Sequence, residues 1–297
     1  MDLLRKRHAG ITRAVTVGIA VLLQLIVTFL AAVLLQEYAS WFYLVLQIFG
    51  ICLVFILVND GQTYKSFWII IVLLLPVFGL FLYFMWGRKR TNSKEYRRYR
   101  EVIAKGLKYK KQDPDIMEDF RQLHPNKAQI SKLLLHYGFP LYENTKVTYY
   151  DVGEKKFEAL MNDLRQAKSF IFLEYFIIYE GKVWEDIKQV LARKVQEGVE
   201  VRLLFDDFGS LMINTEEFRH ELAVLGIRFS IFSPIHEGTS RLTFNYRNHQ
   251  KIAVIDGNVG YTGGINLADE YANIITRFGH WKDTAVRLEG DGVWGLT

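Results

Sequence analysis

Three long apolar segments dominate the first third of this chain and restrict what it can fold into. They run over about 14–35, 41–58 and 67–86 in a sequence of 297 residues. Each is close to the roughly 20 residues that an α-helix needs to cross about 30 Å of hydrocarbon. The first is also too long for the core of a signal peptide. Residues 1–90 are therefore predicted to be a membrane anchor with three transmembrane helices.

A basic stretch follows the third apolar segment directly. Between Arg88 and Lys111 the chain has eleven Lys or Arg residues against two acidic ones. Such a cluster favours the cytoplasmic side of a helix end, and each charge adds on the order of 1 kcal/mol of attraction to an anionic bilayer. We predict that residues 91–145 form a basic helical connector at the membrane surface and that the domain after it is cytoplasmic. A solvated helix face is the alternative.

Cysteine and histidine usage argues against a metal centre. The single cysteine, Cys52, excludes an intramolecular disulfide and a cysteine-based metal site within one chain. His220-Glu221 lacks the second histidine of a zinc motif. The histidines at 124, 136 and 236 stand alone. No metal and no cofactor are therefore predicted.

Strand-like and helix-like segments alternate from residue 146 onward. The strand-like segments are 147–152, 170–178, 199–205, 227–232 and 284–288, and the helical ones are 154–168, 184–196 and one ending at Gly226. Asn214, with Glu217 three residues later, fits the N-cap of the last helix. This alternation predicts an α/β sandwich with a mostly buried mixed sheet that is covered on both faces.

A titratable imidazole and an ammonium stand two residues apart at His249 and Lys251, ahead of Asp256. In a strand over 246–256 the first two share a face, and Asp256 falls at the strand end, where Asp-Gly is a hairpin signal. Imidazole can attack phosphorus or protonate a leaving oxygen near neutral pH, and lysine neutralises phosphate charge. The pattern predicts a phosphate site supported by Asp256; a solvated strand edge is the alternative.

A glycine pair and an asparagine follow this motif. Gly264, in Gly263-Gly264, allows backbone to approach a ligand closely. Asn266 stands where a helix is predicted to begin at Leu267. It is either the N-cap of that helix or a contact to a phosphate or headgroup, and the sequence favours neither.

These residues resemble the His-Lys-Asp signature of the phospholipase D superfamily, and the wider pattern is similar to its bacterial cardiolipin synthases. The similar stretches are 68–90, 172–176, 198–206, 245–249 and 281–283. The resemblance implies a multi-pass enzyme of the bacterial cell membrane. Such an enzyme joins two phosphatidylglycerol molecules into cardiolipin and releases glycerol, without a metal or cofactor.

The resemblance also implies roles for individual residues. His249 is the nucleophile that forms a phosphatidyl-histidine, or the general acid and base, while Lys251 clamps the phosphate and Asp256 supports them. Three further residues are expected to bind the substrate: Glu174, Gly264 and Asn266.

Family members carry two such motifs on two halves of one chain, whereas this chain has one complete motif. We expect residues 146–297 to be the first of two phospholipase D-like domains, truncated before the second and inactive alone. The alternative is a dimer in which each copy supplies one motif. Two other functions stay open: a membrane-bound phospholipase D-type hydrolase and an inactive half that binds anionic lipid. The basic stretch could also serve nucleic acid, but the apolar segments favour lipid, so no nucleic-acid partner is predicted.

Overall fold

The computed structural model describes residues 2–57, 62–83, 94–234, 247–277 and 279–297. The chain divides into two units, one within Met1–Ser93 and the other within Lys94–Pro234 and Tyr246–Thr297. The second unit contains the sheet.

The described part of the first unit is helical. Its helices are α1 (Asp2–Leu35), α2 (Ala39–Leu57), α3 (Gln62–Leu74) and α4 (Pro76–Leu82). One helical run there, Val21–Ile56, is long and apolar enough to cross a membrane. The third apolar segment is interrupted before Pro76, because a proline ring cannot continue the helical hydrogen bonding. Gln24 Oε1 accepts the backbone N–H groups of Val77 and Phe78 at 3.1 and 3.0 Å. Three complete crossings stay a prediction.

The connector region is helical and belongs to the second unit. It contains α5 (Lys94–Leu107), α6 (Pro114–Leu123) and α7 (Ala128–His136). Two contacts join its middle to the end of the described chain: Lys110 Nζ donates to the Gly295 carbonyl at 3.4 Å, and Trp294 Nε1 donates to the Tyr109 carbonyl at 3.2 Å. The connector therefore packs with the sheet domain.

Seven strands form one mixed sheet, which confirms the predicted α/β class. They are β1 (Thr145–Tyr150), β2 (Phe170–Tyr175), β3 (Glu200–Asp206), β4 (Arg228–Phe232), β5 (Lys251–Ile255), β6 (Val259–Gly263) and β7 (Ala285–Gly290). Their order is β1-β7-β6-β5-β2-β3-β4. Strands β2, β3 and β4 are parallel, and the other neighbours are antiparallel. The amino end of β5 therefore meets the carboxyl ends of β2 and β3.

Three helices cover one face of the sheet. Helices α8 (Gly153–Gln166), α9 (Lys182–Gln196) and α10 (Glu216–Val224) share one hydrophobic core with the sheet. Alternate residues of β2 enter this core, and the residues between them are only partly buried. On the second face Val147 and Tyr149 of β1 are 60% and 63% exposed. The prediction of a sheet covered on both faces is therefore corrected: in the described residues one face is buried and the other is partly open.

The helix starts differ from the sequence prediction in two places. Thr215, not Asn214, is the N-cap of α10, since its side chain accepts the Phe218 N–H at 3.2 Å. Asn214 instead donates to Asp207 Oδ1 at 2.6 Å. Helix α9 begins at Lys182, and its first N–H groups are bound by Asp269, a residue distant in sequence. Sequence patterns locate local caps and miss such distant ones.

One lysine is buried in the core. Lys156 of α8 is 2% exposed, and its Nζ lies 3.2 Å from Tyr175 Oη and 4.3 Å from the centroid of the Phe157 ring. Burial lowers the pKa of Lys156 from 10.5 to about 7, because a charged ammonium is disfavoured away from water.

Candidate active site

The β5–β6 hairpin carries the His-Lys-Asp motif. At its tip Asp256 and Gly257 have φ values of 53° and 70°, a conformation that Asp-Gly adopts readily. Strand β5 begins at Lys251, so the predicted strand over 246–256 is wrong at its amino end; Tyr246 lies outside the described residues. The backbone before Lys251 leaves the strand because side chains bind its N–H groups.

His249 and Lys251 are neighbours although His249 is not in the strand. Lys251 Nζ donates to the His249 carbonyl at 2.5 Å. The ring of Phe176 lies 4.6 Å from the His249 ring and 5.2 Å from Lys251 Nζ. The imidazole is exposed, whereas Lys251 is 5% exposed. An accessible imidazole and a nearly buried ammonium are thus brought together at the amino end of β5.

The electrostatics of Lys251 reflect this burial. Desolvation lowers the pKa of Lys251, while the negative charge of Asp283 opposes that shift. Gly264 lies beside the same carboxylate: a Cβ at Gly264 would be 2.1 Å from Asp283 Oδ1. The predicted close approach of backbone at Gly264 is therefore an approach to Asp283.

Asp256 lies at the other end of β5 and joins two strands. Its carboxylate accepts the backbone N–H groups of Lys168, Ser169 and Phe170 at 2.8, 2.7 and 2.9 Å. Burial acts to raise the pKa of Asp256, but these hydrogen bonds outweigh it and the net pKa is lowered. The side chain fixes the start of β2 to the hairpin, as expected of a supporting residue.

We expect Asp256→Asn to lower the free energy of unfolding by about 1–3 kcal/mol, because an amide replaces a charged acceptor of three N–H groups. The pKa of Asp256 is lower in the folded state than in the unfolded chain. Its stabilisation is therefore fully present above the unfolded pKa and is lost as pH falls through the folded one. Urea unfolding in detergent at pH 7 and in acid measures both effects. Asp151→Asn is the control, since the Asp151 side chain is half exposed and pairs with Lys155. Equal losses in the two variants would contradict the assignment.

The predicted substrate-binding residues Glu174 and Asn266 are occupied by contacts within the chain. Glu174 Oε1 accepts from Asn248 Nδ2 at 2.5 Å. Asn266 is 2% exposed; its Oδ1 accepts the Ile177 N–H and its Nδ2 donates to Tyr271 Oη, both at 2.9 Å. Both side chains therefore have a role within the chain, and substrate contact stays a prediction for Glu174, Gly264 and Asn266.

No helix begins at Leu267, so the N-cap role considered for Asn266 is wrong. A short 3-10 helix, Asp269–Ala272, follows instead. The backbone of Leu267 is engaged elsewhere, since its N–H and carbonyl bond to Ile177 and Tyr179. This pairing of distant segments displaces the local helix signal.

Three residues at this edge of the sheet lie in stretches that resemble the cardiolipin synthases, but no role was predicted for them from the sequence. Phe176 follows β2 and contacts both His249 and Lys251. Asp206, the last residue of β3, is fully buried, and Asp283 precedes β7. Asp206 and Asp283 could have been identified from the sequence, because each is an acidic residue close to the end of an apolar strand.

The His-x-Lys spacing also occurs at His280 and Lys282. Arg287 stands five residues after Lys282, where the motif requires Asp. His280 is exposed, with its Nε2 3.8 Å from Glu154 Oε1. The complete motif therefore occurs once in this sequence.

Comparisons with known proteins agree with this geometry. Residues 160–274 match the family model described as cardiolipin synthase, phospholipase D-like domain, and residues 42–88 match that of the phospholipase D-nuclease N-terminal region. An uncharacterised protein of Streptococcus mutans is 42% identical over 81% of this chain and 53% of its own length. Cardiolipin synthase 2 of Staphylococcus epidermidis is 30% identical over 86% of this chain and 53% of its own.

Among solved structures, Nuc of Salmonella typhimurium, a phospholipase D family member, is 18% identical with a TM-score of 0.35, over 49% of this chain and 82% of its own. The chain spans about half the length of the curated relatives named above.

The mixed sheet with a His-Lys-Asp hairpin at its centre defines a phospholipase D-like domain. Within that class, residues 160–274 match the domain model of the cardiolipin synthases.

Proposed function

We propose that this chain supplies the first His-Lys-Asp motif of a cardiolipin synthase that transfers a phosphatidyl group between two phosphatidylglycerol molecules. The observation that carries the proposal is the accessible imidazole of His249 beside the buried ammonium of Lys251, in a domain of this family. The imidazole is free to meet a substrate, and the ammonium has the charge that a phosphodiester requires.

The reaction proceeds in two displacements. In the first, an imidazole nitrogen attacks phosphorus, a P–N bond forms, and the P–O bond to the glycerol headgroup breaks. The departing alkoxide takes a proton from a second imidazole. In the second, that imidazole takes a proton from the hydroxyl of another phosphatidylglycerol, whose oxygen attacks phosphorus and releases the first imidazole. His249 fills one of these two positions, and Lys251 stabilises the negative charge on the phosphate oxygens in both displacements.

The second imidazole is assigned to a second phospholipase D-like domain in the same polypeptide. The open face of the sheet supports this assignment: Phe170 and Phe172 stack there with ring centroids 4.5 Å apart, and the Arg202 guanidinium lies 4.9 Å from the Phe172 ring. Relatives about twice as long as this chain have room for such a domain. A second copy of the chain is the competing occupant, and the mass of the complete protein in detergent distinguishes the two.

The membrane attachment is part of the proposal. The apolar run Val21–Ile56 and the match of residues 42–88 support an integral membrane protein. We propose three crossings with the sheet domain in the bacterial cytoplasm, where the basic stretch meets anionic lipid. A reporter active on only one side of the membrane, fused in turn to each terminus, tests this; a C-terminus outside the cytoplasm would contradict it.

The reaction is tested by giving the complete protein phosphatidylglycerol in detergent micelles. Cardiolipin and free glycerol in equal amounts are the expected products. Phosphatidic acid and glycerol would instead indicate hydrolysis with water as the acceptor. Binding of anionic lipid without any product would identify a lipid-binding half and overturn the proposal.

A further inference from the structure

A fully buried carboxylate lies beside the catalytic motif. Asp206 ends β3 with 0% exposure. Its Oδ1 accepts the N–H groups of Phe208 and Gly209 at 2.9 and 3.2 Å, and its Oδ2 accepts the N–H of Asn248 at 2.9 Å. The Arg247 guanidinium lies 3.3 Å from Oδ1. A charge out of water is tolerated only when it is paired and hydrogen-bonded. Two of these four partners, Arg247 and Asn248, come directly before His249 in sequence.

Asn248 is the centre of the arrangement. Its backbone N–H reaches Asp206, its side-chain amide donates to Glu174 Oε1 at 2.5 Å, and its Oδ1 accepts the Gln250 N–H at 3.1 Å. The residues on both sides of His249 are thus held by hydrogen bonds. We call Asp206, Asn248 and Glu174 the clamp.

The clamp replaces the support that a strand would give. His249 precedes the first residue of β5, so no strand pairing fixes its backbone. Asp206 and Glu174 lie on β3 and β2, two interior strands of the sheet. A displacement of about 1 Å at a reacting group can reduce turnover about 100-fold, so the backbone at His249 needs such support.

We propose that Asp206 is a positioning residue for His249, acting through Asn248, with Glu174 as the second arm of the clamp. The kinetic part of this inference rests on the proposed function. The clamp itself does not, because it can be observed in the backbone around His249.

The first test compares Asp206→Asn with wild type in the complete protein. We expect kcat to fall about 10- to 100-fold while KM for phosphatidylglycerol changes less than about threefold, since uniform substrate binding is untouched. Asp163→Asn is the matched control: Asp163 is another poorly exposed carboxylate bound to an arginine, 2.7 Å from Arg287 Nε, on α8. It should lower the melting temperature and leave kcat at the level of wild type.

A double-mutant cycle tests whether Asp206 acts through Asn248. Asn248→Ala keeps the backbone N–H that Asp206 accepts and removes the side-chain bonds to Glu174 and Gln250. Because both arms would hold the same segment, the losses in kcat from Asp206→Asn and Asn248→Ala should combine non-additively in the double variant. Additive losses, or an Asp206→Asn variant with the kcat of wild type, would overturn the inference.

Hydrogen exchange provides a readout that needs no turnover. In Asp206→Asn the amides of residues 247–251 should exchange at least about tenfold faster than in wild type, while Asp163→Asn leaves them unchanged. Unchanged exchange in Asp206→Asn would refute the clamp. A wild-type protein without activity on phosphatidylglycerol, but with this exchange pattern, would refute only the proposed function.

Discussion

His249→Ala is expected to reduce turnover of phosphatidylglycerol by at least about 1,000-fold in the complete protein, whichever of the two catalytic positions His249 fills. Loss of a nucleophile or of a general acid removes a reaction step that water replaces poorly. The fold should survive, because the imidazole is exposed and, among the described residues, its ring contacts that of Phe176. Cardiolipin formation and the melting temperature are measured on the same preparation.

The matched control for this prediction is His220→Ala. His220 is an exposed histidine on α10, so the same truncation there should change neither turnover nor melting temperature. Cardiolipin formation by His249→Ala at more than about a tenth of the wild-type rate would rule out both roles.

Lys156→Met is expected to change how stability depends on pH. Because burial lowers the native pKa of Lys156 from 10.5 to about 7, the unfolded chain binds a proton in this range that the native chain does not. Wild-type stability therefore falls as pH decreases from about 10.5 to about 7, and the effect is constant at lower pH. The lost stability is on the order of 5 kcal/mol at about 1.4 kcal/mol per pKa unit. Methionine fills a similar volume without this penalty, so the variant should lack that part of the slope.

Lys155→Met provides the comparison. Lys155 adjoins Lys156 in sequence, but its side chain is 63% exposed and pairs with Asp151 at 2.9 Å. Its replacement should leave the slope between pH 7 and pH 10 unchanged. Urea unfolding in detergent, followed by tryptophan fluorescence, gives the free energy of unfolding at each pH. Loss of the contact with Tyr175 shifts the stability of Lys156→Met by the same amount at every pH. The test therefore depends on the slope of stability against pH. A slope equal to that of wild type would contradict a neutral Lys156.

The sequence predicts the elements of the sheet domain well, because each apolar strand or helix has a local period. Glu154 and Met161, for example, lie in the predicted helix 154–168 and also in the observed helix α8, which spans Gly153–Gln166. Local periodicity does not show which segments pair. The order of the strands and the one-sided covering of the sheet depend on contacts between residues far apart in the chain.

In the candidate site, too, local patterns are predictable from the sequence and contacts between distant segments are not. His249, Lys251 and Asp256 can be selected because their spacing is a local pattern. The start of β5 was predicted too early, because the N–H of Asn248 binds a side chain of β3 that no local pattern connects to it. Asn266 was ambiguous for the same reason: Ile177, which binds its side chain, lies 89 residues away in sequence.

The partly open face of the sheet has a consequence during protein synthesis. A ribosome adds about 5–20 residues per second, so the proposed second domain, if similar in size to the first, would emerge over roughly ten seconds. During that interval the first domain can fold while Phe170 and Phe172 stay only partly buried. Exposed apolar surface of this kind promotes association between nascent chains. The proposed attachment to the bilayer through the earlier helices would hold each nascent domain apart from the others, so membrane insertion would also protect the protein from aggregation.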